Sequence, residues 1–181
     1  KIETYLKSAA GRKKLAAEQK KKDKAAAERI ALKKKQALEE RLKNSLQRLL
    51  ASFVYVQGGS FTMGCTSEQN KCDGNEKPSY PVSLSSFNIG KYEVTQTQWQ
   101  AVMGTNPSDN KGCGECPVEN VSWNDIQEFI KKLKKLTGKR FRLPTEAEWE
   151  FAARGGNRSR GYQYAGGNNM SSVGWYDDNS N

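Results

Sequence analysis

Few residues in this sequence can carry chemistry. The 181-residue chain holds four cysteines and no histidine. Without histidine there is no Ser–His or Cys–His nucleophile pair and no imidazole metal ligand. The cysteines fall in two groups, Cys65 with Cys72 and Cys113-Gly-Glu-Cys116, both in stretches rich in Gly, Asn and Asp. Four cysteines allow three disulfide pairings. Neighbour pairing, Cys65–Cys72 with Cys113–Cys116, would pin one loop each and is the expectation, with crossed pairing second. Three other states stay open at this point: reduced thiols, four thiolates around a structural zinc with one CxxC half-site, and a redox-active Cys113/Cys116 dithiol. Near the end of the sequence, Asp177, Asp178 and Asn179 supply oxygen ligands of the kind calcium takes. A solvated acidic loop is the plainer reading of the same residues.

The elements that must position these groups divide sharply in composition. Residues 1–50 contain 16 Lys/Arg against 6 Asp/Glu, whereas residues 51–181 contain 14 of each, so the whole net charge of +10 lies in the first segment. Tyr5 is the only aromatic before Phe53, and all four tryptophans, Trp99, Trp123, Trp149 and Trp175, follow it. The first segment therefore cannot build a core alone, while the second can. From Arg12 to Leu50 there is neither Pro nor Gly, and Ala, Lys, Glu, Gln, Leu and Arg dominate. These are the strongest helix formers, and forty helical residues would reach about 60 Å. Leu38, Leu42, Leu46 and Leu49 recur at three- and four-residue spacing, which puts them on one face. A helical spacer is the leading reading. A coiled-coil or partner-helix contact through that leucine face, for a protein partner or self-association, comes second. Binding to nucleic acid or an anionic membrane through Lys20–Lys22 and Lys33–Lys35 comes last, because no aromatic interleaves the charges. No apolar run approaches the roughly 18 residues a membrane span needs. The sequence opens on Lys1 and reads as a piece of something longer.

Residues 51–181 announce three helices by one device, an N-cap hydroxyl followed three residues later by Gln, Asp or Glu. These are Thr95 with Gln98, Ser122 with Asp125, and Thr145 with Glu148. Gly104, Gly138 and Gly155-Gly156 mark where they stop. Short strands are expected at 53–56, 61–64, 82–84 and 87–91, turning at Gly58-Gly59 and Ser85-Ser86. Residues 155–181 carry no strong periodic signal and look like an element series that is cut short.

Four blocks of residues point to one family. They are Val56-Gln-Gly-Gly-Ser-Phe-Thr-Met-Gly64, Tyr92-Glu-Val-Thr-Gln-Thr-Gln-Trp99, Pro117-Val-Glu-Asn-Val-Ser-Trp-Asn-Asp125, and Arg142-Leu-Pro-Thr-Glu-Ala-Glu-Trp-Glu-Phe-Ala-Ala-Arg-Gly-Gly156. In order and spacing, residues 53–181 resemble the front part of the formylglycine-generating-enzyme, or sulfatase-modifying factor, domain. The resemblance implies an α+β, C-type-lectin-like fold with much irregular structure, here preceded by a long basic α-helix. The domains expected are residues 1–50 as helical stalk and residues 51–181 as the enzyme-like domain, incomplete at its C-terminal end.

In the family's oxidases a substrate cysteine within Cys-x-Pro-x-Arg becomes formylglycine, with oxygen and a copper ion held by two cysteines. Those cysteines belong to the closing part of the domain, with Gly-Asn-x-Trp-Glu-Trp and Arg-Gly-Gly-Ser blocks that do not occur here. Copper is therefore expected only if a further segment supplies its ligands. The iron-dependent branch of the family uses histidines, which this chain lacks. Pro144, Thr145, Glu148, Trp149 and Arg154 read as a structural motif, a buried helix start with no nucleophile. The expectation is a non-catalytic binding or assembly module on a helical stalk, periplasmic, exported or at the cell surface. The alternatives are part of a sulfatase-modifying oxidase, or a variable ligand-binding receptor on the same fold.

Overall fold

The computed structural model describes residue 4, residues 8–69, residues 72–177 and residue 179. Helix α1 (Ala9–Ala51) opens where the Ser8 side chain accepts the Gly11 amide, and ends where the Ser52 amide bonds to the Arg48 carbonyl. From Arg12 to Arg41 every residue of it is exposed. Its last turns are different. Ser45 and Leu49 are buried, and Leu46 packs against the domain core. The expected boundary at residue 50 therefore falls inside a continuous helix whose end belongs to the domain.

Four strands follow: β1 (Phe53–Val56), β2 (Gly59–Met63), β3 (Tyr80–Leu84) and β4 (Phe87–Gly90). β1 pairs antiparallel with β4, and β2 with β3. The partner offset is the same in both pairs, Val56 opposite Phe87 and Gly59 opposite Leu84. The four strands thus form one long two-stranded ribbon with a break at residues 57–58 and 85–86. The Gly58 amide bridges that break to the Ser86 hydroxyl at 3.0 Å. Gly58 sits so close to the Leu84–Ser86 backbone that a Cβ there would collide with it.

The three helices stand where their capping boxes place them. α2 (Gln96–Met103) is capped by Thr95 and Gln98, α3 (Trp123–Thr137) by Ser122 and Asp125, and α4 (Glu146–Ala153) by Thr145 and Glu148. α2 and α3 end on left-handed Gly104 and Gly138, at φ 86° and 71°. A short turn of helix, α5 (Met170–Val173), is the last helix among the described residues.

The main core is built where α1, α2 and α3 meet. Leu49, Trp99, Val102, Phe129 and Leu133 are buried together, with Trp99 and Phe129 stacked at 4.9 Å. A smaller cluster joins the ribbon to α4 through Phe61 and Phe151, 5.3 Å apart. The tryptophans do not all serve the core. Trp99 is 4% exposed, but Trp123, Trp149 and Trp175 are 64%, 61% and 86% exposed.

Candidate functional site

The cysteines form two disulfides, Cys65–Cys72 and Cys113–Cys116, with Cα atoms 5.8 Å and 5.3 Å apart. No free cysteine remains. The second bridge closes a turn that caps a helix. The carbonyls of Cys116 and Gly114 accept the Gln96 and Thr97 amides, the first two amides of α2. Within the same turn Glu115 receives both guanidinium nitrogens of Arg48, at 2.6 and 3.2 Å, tying the turn to α1. The first bridge holds the loop after β2, where Thr66 and Glu68 line a cavity of about 430 Å³ floored by Phe61 and Phe151. A hydrogen bond from the Thr66 hydroxyl, foremost, holds the exposed Glu68 carboxyl below its ordinary range.

Arg154 closes that cavity's inner wall. It donates to the Gly64 carbonyl at 2.7 Å and the Thr66 hydroxyl at 3.1 Å, and pairs with Glu150 at 2.7 Å. Glu150 in turn accepts the Gly64 amide at 3.0 Å. All these contacts fix the end of β2, so the Glu150–Arg154 pair is a clamp on backbone.

At the start of α4, Arg142 grips Glu148 through two contacts of 2.6 Å. The Thr145 amide adds a third bond to the same carboxylate, at 2.8 Å. Hydrogen bonding from Arg142, ahead of opposing burial and the Thr145 amide, pulls the Glu148 carboxyl down from 4.5 to about 2. The sequence reading of this block as a buried helix start holds for Glu148 and Phe151, both buried. It fails for Trp149, whose ring stands largely in solvent while Phe151 meets Phe61 of the ribbon.

Trp149 instead rims a wide concavity, a cleft of about 960 Å³. One wall is the chain from residue 86 to 94, which includes β4; the other is the approach to α4, residues 139–144. Exposed Tyr92 lies at the rim with the Lys91 ammonium 5.1 Å from its ring centre. Lys139 and Arg140 add positive charge, Glu93 a negative one, and Arg142 and Glu148 neutralise each other. Sequence reasoning missed this cleft. Its one legible sign was the cluster Lys139-Arg140-Phe141-Arg142, directly before the capped helix.

The other expected site residues are scattered. The Asn179 side-chain oxygen accepts the Tyr176 amide at 2.7 Å, and its amide nitrogen donates to the Gly174 carbonyl at 2.9 Å. Asn179 thus shapes a turn; Asp177 is exposed nearby, and Asp178 lies outside the described residues. No group of three or more His, Cys, Asp or Glu converges among the described residues. The leucine face assigned to a partner helix is split, with Leu49 buried in the core, Leu46 packed on it, Leu42 half-buried, and Leu38 65% exposed.

A broken two-stranded ribbon, three box-capped helices and long irregular connections after a basic helix make an α+β domain of the C-type-lectin-like, formylglycine-generating-enzyme type. The family model of the sulfatase-modifying factor enzyme 1-like domain matches residues 39–181. The chain belongs to that family. It is 40% identical over 156 aligned residues to the chaperone protein LppX of Paenibacillus barcinonensis, an alignment covering 68% of this chain and 52% of that protein. It is also 42% identical over 71 residues to the formylglycine-generating enzyme of Streptomyces coelicolor, covering 39% of this chain and 20% of the enzyme. Among solved structures, Treponema denticola variable protein 1 superposes with a TM-score of 0.56 at 28% identity, over 71% of this chain and 61% of that one. The chain spans about half the length of the LppX protein that it matches.

Proposed function

We propose that this chain is a non-catalytic recognition module, which binds a protein segment in the cleft between β4 and the approach to α4. The observation that carries the reading is the contrast between two features. Every thiol that could act as nucleophile or copper ligand is held in a disulfide. A wide concavity, meanwhile, offers an aromatic and cationic rim with no cysteine in its walls. Aromatic rings and arginines are the residues that most often anchor protein partners. The likeness to a protein named as a chaperone, and to one named as variable, supports binding over turnover. Disulfides persist in oxidising compartments, which favours a periplasmic or exported place of work. No described helix is long and apolar enough to cross a membrane.

Helix α1 serves this reading as a spacer. Its exposed apolar residues Ile30, Leu32 and Leu38 do not form one seam, because successive side chains advance by about 100° around a helix. The test is direct. The chain, supplied with copper and oxygen, is incubated with a Cys-x-Pro-x-Arg peptide, and any aldehyde is trapped with an aminooxy reagent. No aldehyde is expected. Formation of aldehyde would overturn the non-catalytic reading and restore the oxidase.

A further inference from the structure

We propose that the Cys113–Cys116 bridge is a reversible redox site, opened and closed by thiol–disulfide exchange with a dithiol partner, and that its state sets how firmly α1 is joined to α2. The inference stands apart from the recognition reading, since it uses neither the cleft nor a strand edge. Both helices meet the same turn. The Cys116 and Gly114 carbonyls accept the Gln96 and Thr97 amides of α2, each at 2.9 Å, and Glu115 holds the Arg48 guanidinium of α1. The chain on either side of the turn is anchored without the bridge. After it, the Val118 amide bonds to the Val94 carbonyl at 2.9 Å, and Pro117 is bridged to Thr95. Before it, Asn110 donates twice to the Glu119 carboxylate, at 2.9 and 3.0 Å, and its carbonyl accepts from the Gln96 side chain at 3.1 Å. Between these anchors, residues 111–115 reach the helices through the bridge, the Gly114–Thr97 bond and the Glu115–Arg48 pair. Opening the bridge therefore loosens the segment that carries Glu115 and leaves both flanks in place.

Loop length singles out this bridge over the other. Its cysteines are three residues apart, those of Cys65–Cys72 seven. The shorter loop restrains the unfolded chain less, by a factor of about three. A bond that lends the fold less stability is, by linkage, less resistant to reduction. Cys113 is exposed and Cys116 half-buried, so the Cys113 sulfur is the point of attack. A thiolate of the partner bonds to it and displaces the Cys116 thiolate, which takes up a proton. The partner's second thiol then attacks the partner's own sulfur in the mixed disulfide, and Cys113 leaves as a thiol. Two electrons have passed: the partner dithiol is oxidised to a disulfide and the bridge is reduced. The reverse sequence closes it. Coupling to α1 runs both ways. Closing the bridge holds Glu115 beside Arg48, and the Glu115–Arg48 pair in turn favours the closed bridge. Because the two side chains are 67% and 61% exposed, that pair shifts the balance by a few-fold only.

The test equilibrates the intact protein with graded ratios of reduced to oxidised dithiothreitol, blocks free thiols at each step with a maleimide, and locates them by peptide mass. Cys113 and Cys116 should be blocked together at ratios that leave Cys65–Cys72 closed. In protein reduced to that point, hydrogen exchange should quicken at Gln96, Thr97 and the last turn of α1, while Phe129 and Leu133 in α3 stay protected. Arg48→Ala should open the bridge at a dithiol-to-disulfide ratio roughly threefold lower. Lys43→Ala, at an exposed site one turn away on α1, should leave the midpoint where it was. Three results would overturn the proposal. One is Cys65–Cys72 opening before Cys113–Cys116 or together with it. Another is loss of α3 protection once Cys113–Cys116 opens, which would make the bridge a fastening of the whole fold. The third is unchanged exchange at Gln96 and Thr97. An unmoved midpoint in Arg48→Ala sinks the link to α1. None of these results touches the recognition reading, which stands or falls on the aldehyde assay.

Discussion

At the residue scale, the most consequential group is Glu148. It receives two bonds from Arg142 and one from the Thr145 amide, and is itself buried. Its carboxyl is lowered from 4.5 to about 2, chiefly by Arg142. A depressed folded-state value means the unfolded chain takes up protons first as the solution is acidified. The stability contributed by Glu148 is therefore complete above about pH 4.5 and is lost as pH falls towards 2. Glu148→Gln should destabilise the domain by about 2 kcal/mol at neutral pH, by weakening the charged bonds. Denaturant titrations at several pH values should show a shallower acid-side decline in the variant. An unchanged decline would mean that other carboxylates govern it. The ion pair itself was not legible in the sequence. Only the Thr145-to-Glu148 spacing was, because capping is local whereas Arg142 reaches its partner through a non-helical approach.

Among the elements, the features fixed within a few residues read well and those fixed by contact across the chain did not. The three capping boxes and their glycine ends fell where spacing put them, since both partners of each cap lie three residues apart. β2 and β3 each begin two residues earlier than expected, and β2 and β4 each end one residue sooner, because pairing across the ribbon decides how far each strand runs. The leucine face of α1 was visible as a face, but periodicity does not say what covers it. The turn at Cys113–Cys116 shows the same limit. Its role as a cap for α2 depends on Gly114 and Cys116 carbonyls meeting Gln96 and Thr97. Replacing both cysteines of that bridge by serine should lower stability by about 2 kcal/mol from the short closed loop. The same change should speed hydrogen exchange at Gln96 and Thr97. Exchange that stays slow at those amides would show that the turn holds its shape without the bond.

Taken as one molecule, the chain is a domain whose main core includes the end of its own leading helix. Leu49 joins Trp99, Val102 and Phe129, so Leu49→Ala should destabilise by about 3 kcal/mol. Leu38→Ala, at a site 65% exposed, should stay within about 0.5 kcal/mol. A chain beginning at Glu39 should retain cooperative unfolding, whereas one beginning at Ala51 should lose it. Circular dichroism melts of the two truncations check this. A cooperative melt for the shorter chain would show that the ribbon and α2–α4 suffice. The family resemblance, carried by four sequence blocks, conveyed the fold because those blocks are caps, turns and core aromatics. It did not convey the cleft, whose walls lie some fifty residues apart in sequence and meet only through packing.

The seamless passage of α1 into the core also has a mechanical meaning. From Arg12 to Arg41 the helix is exposed on all sides, an arm of roughly 45 Å. Its last turns are gripped by Leu49 packing and by Arg48 on Glu115. With no glycine or proline between Arg12 and Ala51, there is no built-in hinge to absorb a bend. Rocking the anchored end by about 5° would swing the far tip by roughly 4 Å on that length. Conversely, a pull at the tip is delivered as torque on Leu49 and the Arg48–Glu115 contact, so the arm transmits load between its far end and the domain's interior.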